Sequence, residues 1–283
     1  MLQLRPYQQY CYDEFLKEIN LGLKYLCISI PTGTGKTALA SHISKYYLDK
    51  KQPIIFIAPR IALLEQTKES FSFLEKDYGE IQIIQGNSKY NHDGLIYIAS
   101  LQTIINRKLE FKPAFLCCDE VHLGHNKSRQ KKLKKQFPNA VFLGLTATPY
   151  DSHGHQFKEF EKIIQYKTKK WYIQNGYLSK PISYVPFIPD LSNVKITAGD
   201  YNEKDLDREF NNNYVINDII GKTKHLLINS KSFIFCISIK HAEMMTQEIN
   251  KHNEFKAEVY HSQMNMDDRN KVLEDFKNSK INI

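Results

Sequence analysis

The stretch Cys27–Ile43, CISIPTGTGKTALASHI, places a glycine-rich turn between an apolar run and an amphipathic one. The first run has the composition of a buried strand and the segment from Lys36 has helical spacing, so the glycines fall at a strand-to-helix junction. Gly33 and Gly35 let the backbone curl so that successive N–H groups point inward. The helix start adds positive potential, and Lys36 can reach the β- and γ-phosphates of a bound nucleotide. Thr37 would supply a hydroxyl to Mg²⁺, and Thr32 and Thr34 belong to the same cradle. The strict spacing G-x-x-x-x-G-K-T asks for glycine where this chain has Ile30, so the general fingerprint is met in its second half. A glycine turn that merely joins strand to helix is the plain alternative; the GKT tripeptide at this junction favours the nucleoside triphosphate.

Outward from this turn, short apolar runs alternate with longer amphipathic segments: YLCISI, IIFIAP, IQIIQG, LIYIAS, AFLCCDE and AVFLGLT, with helices expected from Lys36 and from Ala62 and a basic helix before Phe137. Parallel strands need long crossover connections, so the rhythm predicts an α/β domain of three layers with a mostly parallel sheet. After Tyr150 the texture becomes irregular and richer in Pro and Gly, as in a connector. From Tyr214 the alternation resumes, with SFIFCIS and KAEVYHS expected as strands and helices expected before, between and after them. The predicted division is residues 1–165, a connector at 166–213, and a second α/β lobe at 214–283.

A chain of 283 residues suits two lobes. Hydrophobic residues at 42% and charged residues at 25% fit a folded globular protein rather than a disordered or fibrous one. Lys and Arg outnumber Asp and Glu by 39 to 31, which favours a polyanionic partner without identifying it. The N-terminus MLQLRPYQQY has no basic start followed by an apolar core, and the apolar runs are far too short to span a bilayer. A cytoplasmic protein without membrane contact is expected. The five cysteines, with Cys117 and Cys118 adjacent in an apolar run and no C-x-x-C spacing, read as reduced core residues rather than zinc ligands.

The run AFLCCDEVH ends in two carboxylates, and ligands of open parallel sheets gather at the carboxyl ends of strands. Asp119 is suited to hold Mg²⁺ through water, while Glu120 can orient and deprotonate a water for in-line attack on the γ-phosphate. His122 and His125 could be grouped with Glu120 as a metal site, but no further ligands are evident. Asp151, His153 and His155 read as loop decoration. AVFLGLTATPY ends in Thr146 and Thr148, hydroxyls placed to sense the γ-phosphate and relay its loss through His122.

PTGTGKT, DEVH and TATP, in that order, resemble superfamily 2 helicases and translocases of the DEAH/DExH type, in which the P-T-G-T-G-K-T form of the loop is found. LRPYQQYCYDEF looks like the adenine-reading segment of the restriction-enzyme-like branch, and GYLSKP with GDYNEKDL is similar to the RadD-like group. The resemblance covers almost the whole chain. It implies two RecA-like lobes with ATP between them, Mg²⁺, and a nucleic-acid partner, with DNA favoured over RNA. It also implies catalytic roles for Lys36, Asp119, Glu120 and His122, and adenine recognition by Gln8 with Arg5, since Gln can pair with the N6 and N7 edge of that base. IAPRIALLEQT and YIASLQTI fall where the family grips the sugar-phosphate backbone, so Arg60, Ser100, Gln102 and Thr103 become candidate contacts. SFIFCISIKHAEMM matches the first motif of the second lobe, and VYHSQMNMDDRNKVLEDFK the segment after it, with Arg269 at the usual arginine position. The basic run Lys127–Lys135 is first of all a solvated face, with nucleic-acid contact as the second reading.

The family continues with a strand, a coupling motif and a helix carrying an arginine finger, whereas this sequence ends at KINI, residues of strand composition. Arginine fingers contribute ~10³–10⁵ in rate in related phosphate chemistry. The expectation is therefore a chain with an incomplete second RecA-like lobe that binds Mg-ATP and turns it over poorly, with a second polypeptide as a possible source of the missing parts. A nucleotide-dependent clamp that does not step stays open as an alternative. A small-molecule phosphotransferase fits less well, because kinase chemistry does not require DEVH and TATP in that order.

Overall fold

The computed structural model describes residues 3–122, 127–150, 154–185, 190–197, 200–228 and 230–283. The chain divides into two compact units, Met1–Lys180 and Pro181–Ile283. In the first, α1 (Pro6–Asn20), β1 (Tyr25–Ser29), α2 (Lys36–Leu48), β2 (Ile54–Ala58), α3 (Leu64–Phe71), α4 (Glu75–Tyr78), β3 (Ile81–Ile84) and β4 (Ile96–Ser100) are followed by α5 (Leu101–Asn106), β5 (Phe115–Cys118), α6 (Lys127–Gln136), β6 (Val141–Thr146), β7 (Lys162–Gln165) and α7 (Lys169–Gln174). The helix expected from Ala62 begins instead with a 3₁₀ turn at Ile61–Leu63.

Seven strands form one sheet in the order β3-β4-β2-β5-β6-β1-β7. Each neighbouring pair is parallel. The fold is the α/β arrangement with a parallel sheet expected from the alternating runs, and it agrees with the RecA-like lobe that the resemblance implies. Side chains alternate across a strand, so a sheet covered on both faces needs apolar residues at every position. Leu26, Ile28, Phe56 and Phe115 pack on one face with Tyr7, Phe15, Leu39 and Ile43 of α1 and α2. Cys27, Ile55, Ile57, Leu116 and Phe142 pack on the other with Ile104 of α5 and Leu133 of α6. Burial of each such large side chain contributes roughly 1.5–3 kcal/mol.

Register aligns the functional end of the sheet. Ser29 pairs with Thr146, Ala58 with Ser100 and Cys118 with Gly144. The turn after β1, Arg60 after β2, Ser100 at the end of β4, Asp119 after β5 and Thr146 at the end of β6 therefore emerge on one edge. At the opposite end, the Glu161 carboxylate accepts from the amides of Lys24 at 2.7 Å and Tyr25 at 2.8 Å, which anchors the start of β1.

The second unit contains a short antiparallel pair, β8 (Ile196–Thr197) and β9 (Asp200–Tyr201), then α8 (Glu203–Phe210), α9 (Asn213–Leu227), α10 (Ile239–Ile249) and α11 (Met266–Lys277). Side chains of Asn202, Asn212, Ser238 and Asn265 cap the four helices by accepting from backbone amides, each worth about 1 kcal/mol. Ile216 and Ile220 of α9, Met245 and Ile249 of α10, Phe255 and Ala257 form its core.

The helices stand where the alternation places them, but the expected strands SFIFCIS and KAEVYHS do not form a ladder. Their segments are joined to Ile281–Ile283 by isolated bonds: Ser232 N–H donates to Asn282 O at 2.9 Å, Asn282 N–H to Lys256 O at 2.9 Å, and Glu258 N–H to Ile283 O at 3.1 Å. A strand needs consecutive backbone partners, and composition alone does not supply them. Ile281 is buried in this arrangement, while Phe233 and Phe235 are 70% and 96% exposed.

Candidate active site

The loop between β1 and α2 takes the conformation its glycines permit. Gly33 and Gly35 have φ of +82° and +83°, a region that a Cβ disfavours. At Gly35 a Cβ would also lie 2.7 Å from Gln8 Nε2. Gly35 forms the N-cap of α2, which begins at Lys36. Thr34 is buried and its hydroxyl donates to Pro31 O at 2.5 Å, holding the loop closed on itself. Thr32 is exposed, and Thr37 is half-buried in the first turn of α2.

The segment read as adenine-recognising lies directly on this loop. Gln8 is 5% exposed and its Nε2 donates to Thr34 O at 3.2 Å and Gly35 O at 3.0 Å, while its Oε1 accepts from Arg5 N–H at 2.9 Å. Tyr7 O–H donates to Thr34 O at 2.8 Å, and Arg5 Nη1 donates to the Tyr7 hydroxyl at 3.1 Å. Both ends of the Gln8 amide thus engage backbone, so in this state the side chain fixes the loop.

Across the loop, Lys36 Nζ lies 3.1 Å from Glu120 Oε1, with the lysine side chain only 7% exposed. Glu120 Oε2 is 3.3 Å from His122 Nδ1, and that nitrogen is 3.1 Å from Thr146 Oγ1. Thr146 Oγ1 is committed as a donor to Thr148 O, so its contact with His122 calls for a hydrogen on His122 Nδ1. Thr146 Oγ1 can then accept from it while donating to Thr148 O at 3.0 Å, and it also accepts from Thr148 N–H at 3.1 Å. Lys36, Glu120, His122, Thr146 and Thr148 form one continuous polar chain from the phosphate loop to the end of β6. Glu120 adopts φ +43°, a backbone state costly for a non-glycine residue and typical of functional positions.

Asp119 sits beside this chain. Its Oδ1 accepts from Glu120 N–H at 2.9 Å. Burial holds its pKa above the ordinary carboxylate value and the Glu120 charge adds to this, against the opposing pull of the Glu120 N–H, Lys36 and His122. All five cysteines are free, and burial pushes the Cys118 thiol up to about 12, so it stays protonated next to the carboxylates. Among the described residues, no group of three or more His, Cys, Asp or Glu is placed to hold a metal ion. His125, Asp151 and His153 lie outside the described residues.

The residues read as gripping a backbone separate into two kinds. Ser100 and Thr103 are buried, and the Ser100 hydroxyl caps α5 by accepting from Thr103 N–H at 3.2 Å, with the two hydroxyls 2.9 Å apart. Gln102 and Arg60 are both exposed. Arg60, Gln102, Asp119 and Glu120 line an open cavity of about 550 Å³ at the carboxyl ends of β2, β4 and β5, together with Arg129 of α6.

One group of contacts was not evident from the motifs. Tyr172 and Tyr177 each pack edge-on against Tyr7 with ring centroids 4.9 Å apart, and Arg5 lies 5.7 Å from the Tyr177 ring. A Cβ on Gly33 would come within 3.4 Å of Leu178. The segment Trp171–Leu178 therefore buttresses both α1 and the loop before α2; its sequence signals were aromatic density in KKWYIQNGYL and the family-like GYLSKP, neither of which points to this packing. Arg269 lies in the first turn of α11, in the second unit.

Comparison with known proteins agrees with the motifs. Residues 1–151, just over half of the chain, match the family described as type III restriction enzyme, res subunit, and residues 214–283 match the helicase conserved C-terminal domain. A 51.5 kDa protein of a Lactococcus phage is 24% identical over 90% of this chain and 53% of its own length. A putative mitochondrial ATP-dependent helicase, irc3, of Schizosaccharomyces pombe is 24% identical over 99% of this chain and 48% of its own. The Hef helicase domain of Pyrococcus furiosus aligns with 88% of this chain and 54% of its own, with a TM-score of 0.48 and 21% identity. The chain thus spans about half the length of the relatives it matches. Among the described residues, no helix is long and apolar enough to cross a membrane.

Proposed function

The chain belongs to the type III restriction enzyme res-subunit family, and from that premise we propose that it binds ATP at the loop before α2 and hydrolyses it in response to nucleic acid, as an ATP-dependent helicase or translocase with DNA as the favoured strand. The observation that carries the reading is the polar chain from Lys36 through Glu120 and His122 to Thr146. It joins the group that would meet the γ-phosphate to the group that would activate water, and continues to a buried hydroxyl on the neighbouring strand. A simple nucleotide-binding turn has no use for that continuation.

In this reading the loop amides and Lys36 bind the phosphates, and Glu120 orients the attacking water and takes its proton. His122 and Thr146, with Thr148, respond to the loss of the γ-phosphate. Thr37 and Asp119 supply oxygen donors of the kind Mg²⁺ prefers, and Asp119 has one oxygen engaged by Glu120 N–H while the other can accept a metal-bound water. A bound Mg²⁺ would neutralise charge on the phosphate oxygens. Residues 1–165 would act as the ATP-binding lobe, 166–213 as the connector and 214–283 as part of the second lobe.

The test is phosphate release by the purified chain with and without single-stranded DNA, duplex DNA and RNA. Stimulation by at least one of them is expected, strongest with DNA. Hydrolysis that ignores all three would favour a nucleotide-dependent clamp.

Gln8 gives a separate prediction. Gln8→Ala is expected to weaken ATP and GTP alike by about thirtyfold, because it removes two hydrogen bonds to the phosphate loop, each worth ~1 kcal/mol net. A further several-fold loss confined to ATP is expected from Gln8 and Arg5 at the adenine edge. Identical losses for the two nucleotides, measured by competition with a fluorescent analogue, would remove the adenine role and leave the loop role standing.

A further inference from the structure

The lysine-rich helix α6 does not act as one uniform basic face. Lys134 is committed to the fold: its Nζ donates to Glu159 O at 3.0 Å and lies 3.7 Å from the centre of the Tyr25 ring. Lys131, Lys132 and Lys135 are exposed, and none of them lines the cavity at the sheet edge. Arg129 does line it, as do Arg60, Gln102 and the carboxylates Asp119 and Glu120.

We infer that Arg129 and Arg60 together hold one phosphodiester of a nucleic-acid strand in this cavity, and that Arg129 is the residue of α6 that makes the contact. The inference rests on the nucleic-acid reading above and adds a binding residue from outside its motifs. Two guanidinium groups present planar forks of donors that match the two free oxygens of a phosphodiester. The carboxylates offset them only in part. Glu120 is already paired with Lys36 at 3.1 Å, and Asp119 has one oxygen engaged by a backbone amide. Ile61, 52% exposed, and Leu101 add apolar surface in the same cavity, where a sugar can rest. A phosphate seated here would lie in the same cavity as the two carboxylates assigned to hydrolysis. Buried Ser100, which caps α5, and Thr103, whose amide it receives, would act by holding the cavity wall, leaving the two arginines and Gln102 to meet the strand.

The experiment is a salt series of binding to the full chain, using labelled oligothymidylate and oligouridylate as probes. Because each neutralised phosphate of a single strand adds about 0.7 to the slope of log K against log salt, Arg129→Ala should lower the slope by roughly that amount and weaken binding about five- to tenfold at moderate salt. Arg129→Lys should restore the slope but not the full affinity, since charge returns without the fork. A Lys131→Ala/Lys132→Ala variant should leave the slope unchanged. Loss on both strands supports the shared phosphodiester, and loss on one alone supports the contact and identifies its source. An unchanged slope for Arg129→Ala, with a circular-dichroism melt showing the variant folded, overturns the inference. So does an equal fall for the double-lysine variant, which would mean that diffuse charge on α6 is responsible. If the unaltered chain binds neither strand, the nucleic-acid reading itself fails and the inference falls with it, an outcome distinct from a variant-specific null.

Discussion

Glu120→Gln is expected to lower single-turnover ATP hydrolysis by ~10²–10⁴-fold, the usual contribution of a positioned general base, while nucleotide affinity stays level or rises. The amide keeps the size and reach of the carboxylate but cannot take a proton from water. Affinity should not fall, because Glu120 competes with the nucleotide for Lys36: their 3.1 Å ion pair must open before the amine can serve a phosphate. With glutamine in that place the lysine is released from a charged partner. The substitution also removes one of two neighbouring negative charges, so the Asp119 carboxyl, whose pKa burial and Glu120 both raise, should ionise more readily. Hydrolysis measured by rapid quench with enzyme in excess and affinity measured by analogue fluorescence separate the two effects. Hydrolysis retained within threefold would remove Glu120 from the water-activating role.

The parts of the molecule that were legible in the sequence are those governed by local chemistry. Gly33 and Gly35 announce positive φ, and the apolar runs ending in Asp119 and Thr146 announce buried strands opening on one edge; the parallel register aligns them as expected. What stayed hidden depends on contacts between segments distant along the chain. The motif reads Gln8 as an adenine contact, yet its two bonds to loop carbonyls follow from where α1 docks. Tyr172, Tyr177 and Leu178 looked like connector residues, and only packing brings them against Tyr7 and Gly33. Ser100 and Thr103 are ambiguous in sequence, because a hydroxyl at a strand end can meet a ligand or cap the next helix; here Ser100 caps. SFIFCIS and KAEVYHS show the complementary failure. Their β-branched and aromatic residues satisfy strand propensity, but a ladder is a property of two segments in register, and the bonds present are too few to form one.

Lys36→Ala should weaken nucleotide binding by ~10²–10⁴-fold, since charge-assisted hydrogen bonds are worth roughly 1.5–3 kcal/mol each and in the proposed role the amine serves two phosphates. It should also reduce stability without nucleotide. Among the described residues Lys36 and His122 are the side chains paired with Glu120, and removing the lysine leaves the carboxylate beside Asp119 with His122. Glu120 is 24% exposed, so solvent limits this cost to about 1 kcal/mol rather than the several that a fully buried orphan charge would bring. The two effects have different remedies. Adding Glu120→Gln to Lys36→Ala should recover most of the lost stability, because the unpaired charge is gone, and should recover none of the nucleotide affinity, because the amine is still missing. Residues in direct contact couple non-additively, so a double-mutant cycle on melting temperature should show a coupling of about 1 kcal/mol. Strict additivity in that cycle would mean that the ion pair contributes nothing to the resting state, and that Glu120 does not restrain Lys36 before ATP arrives.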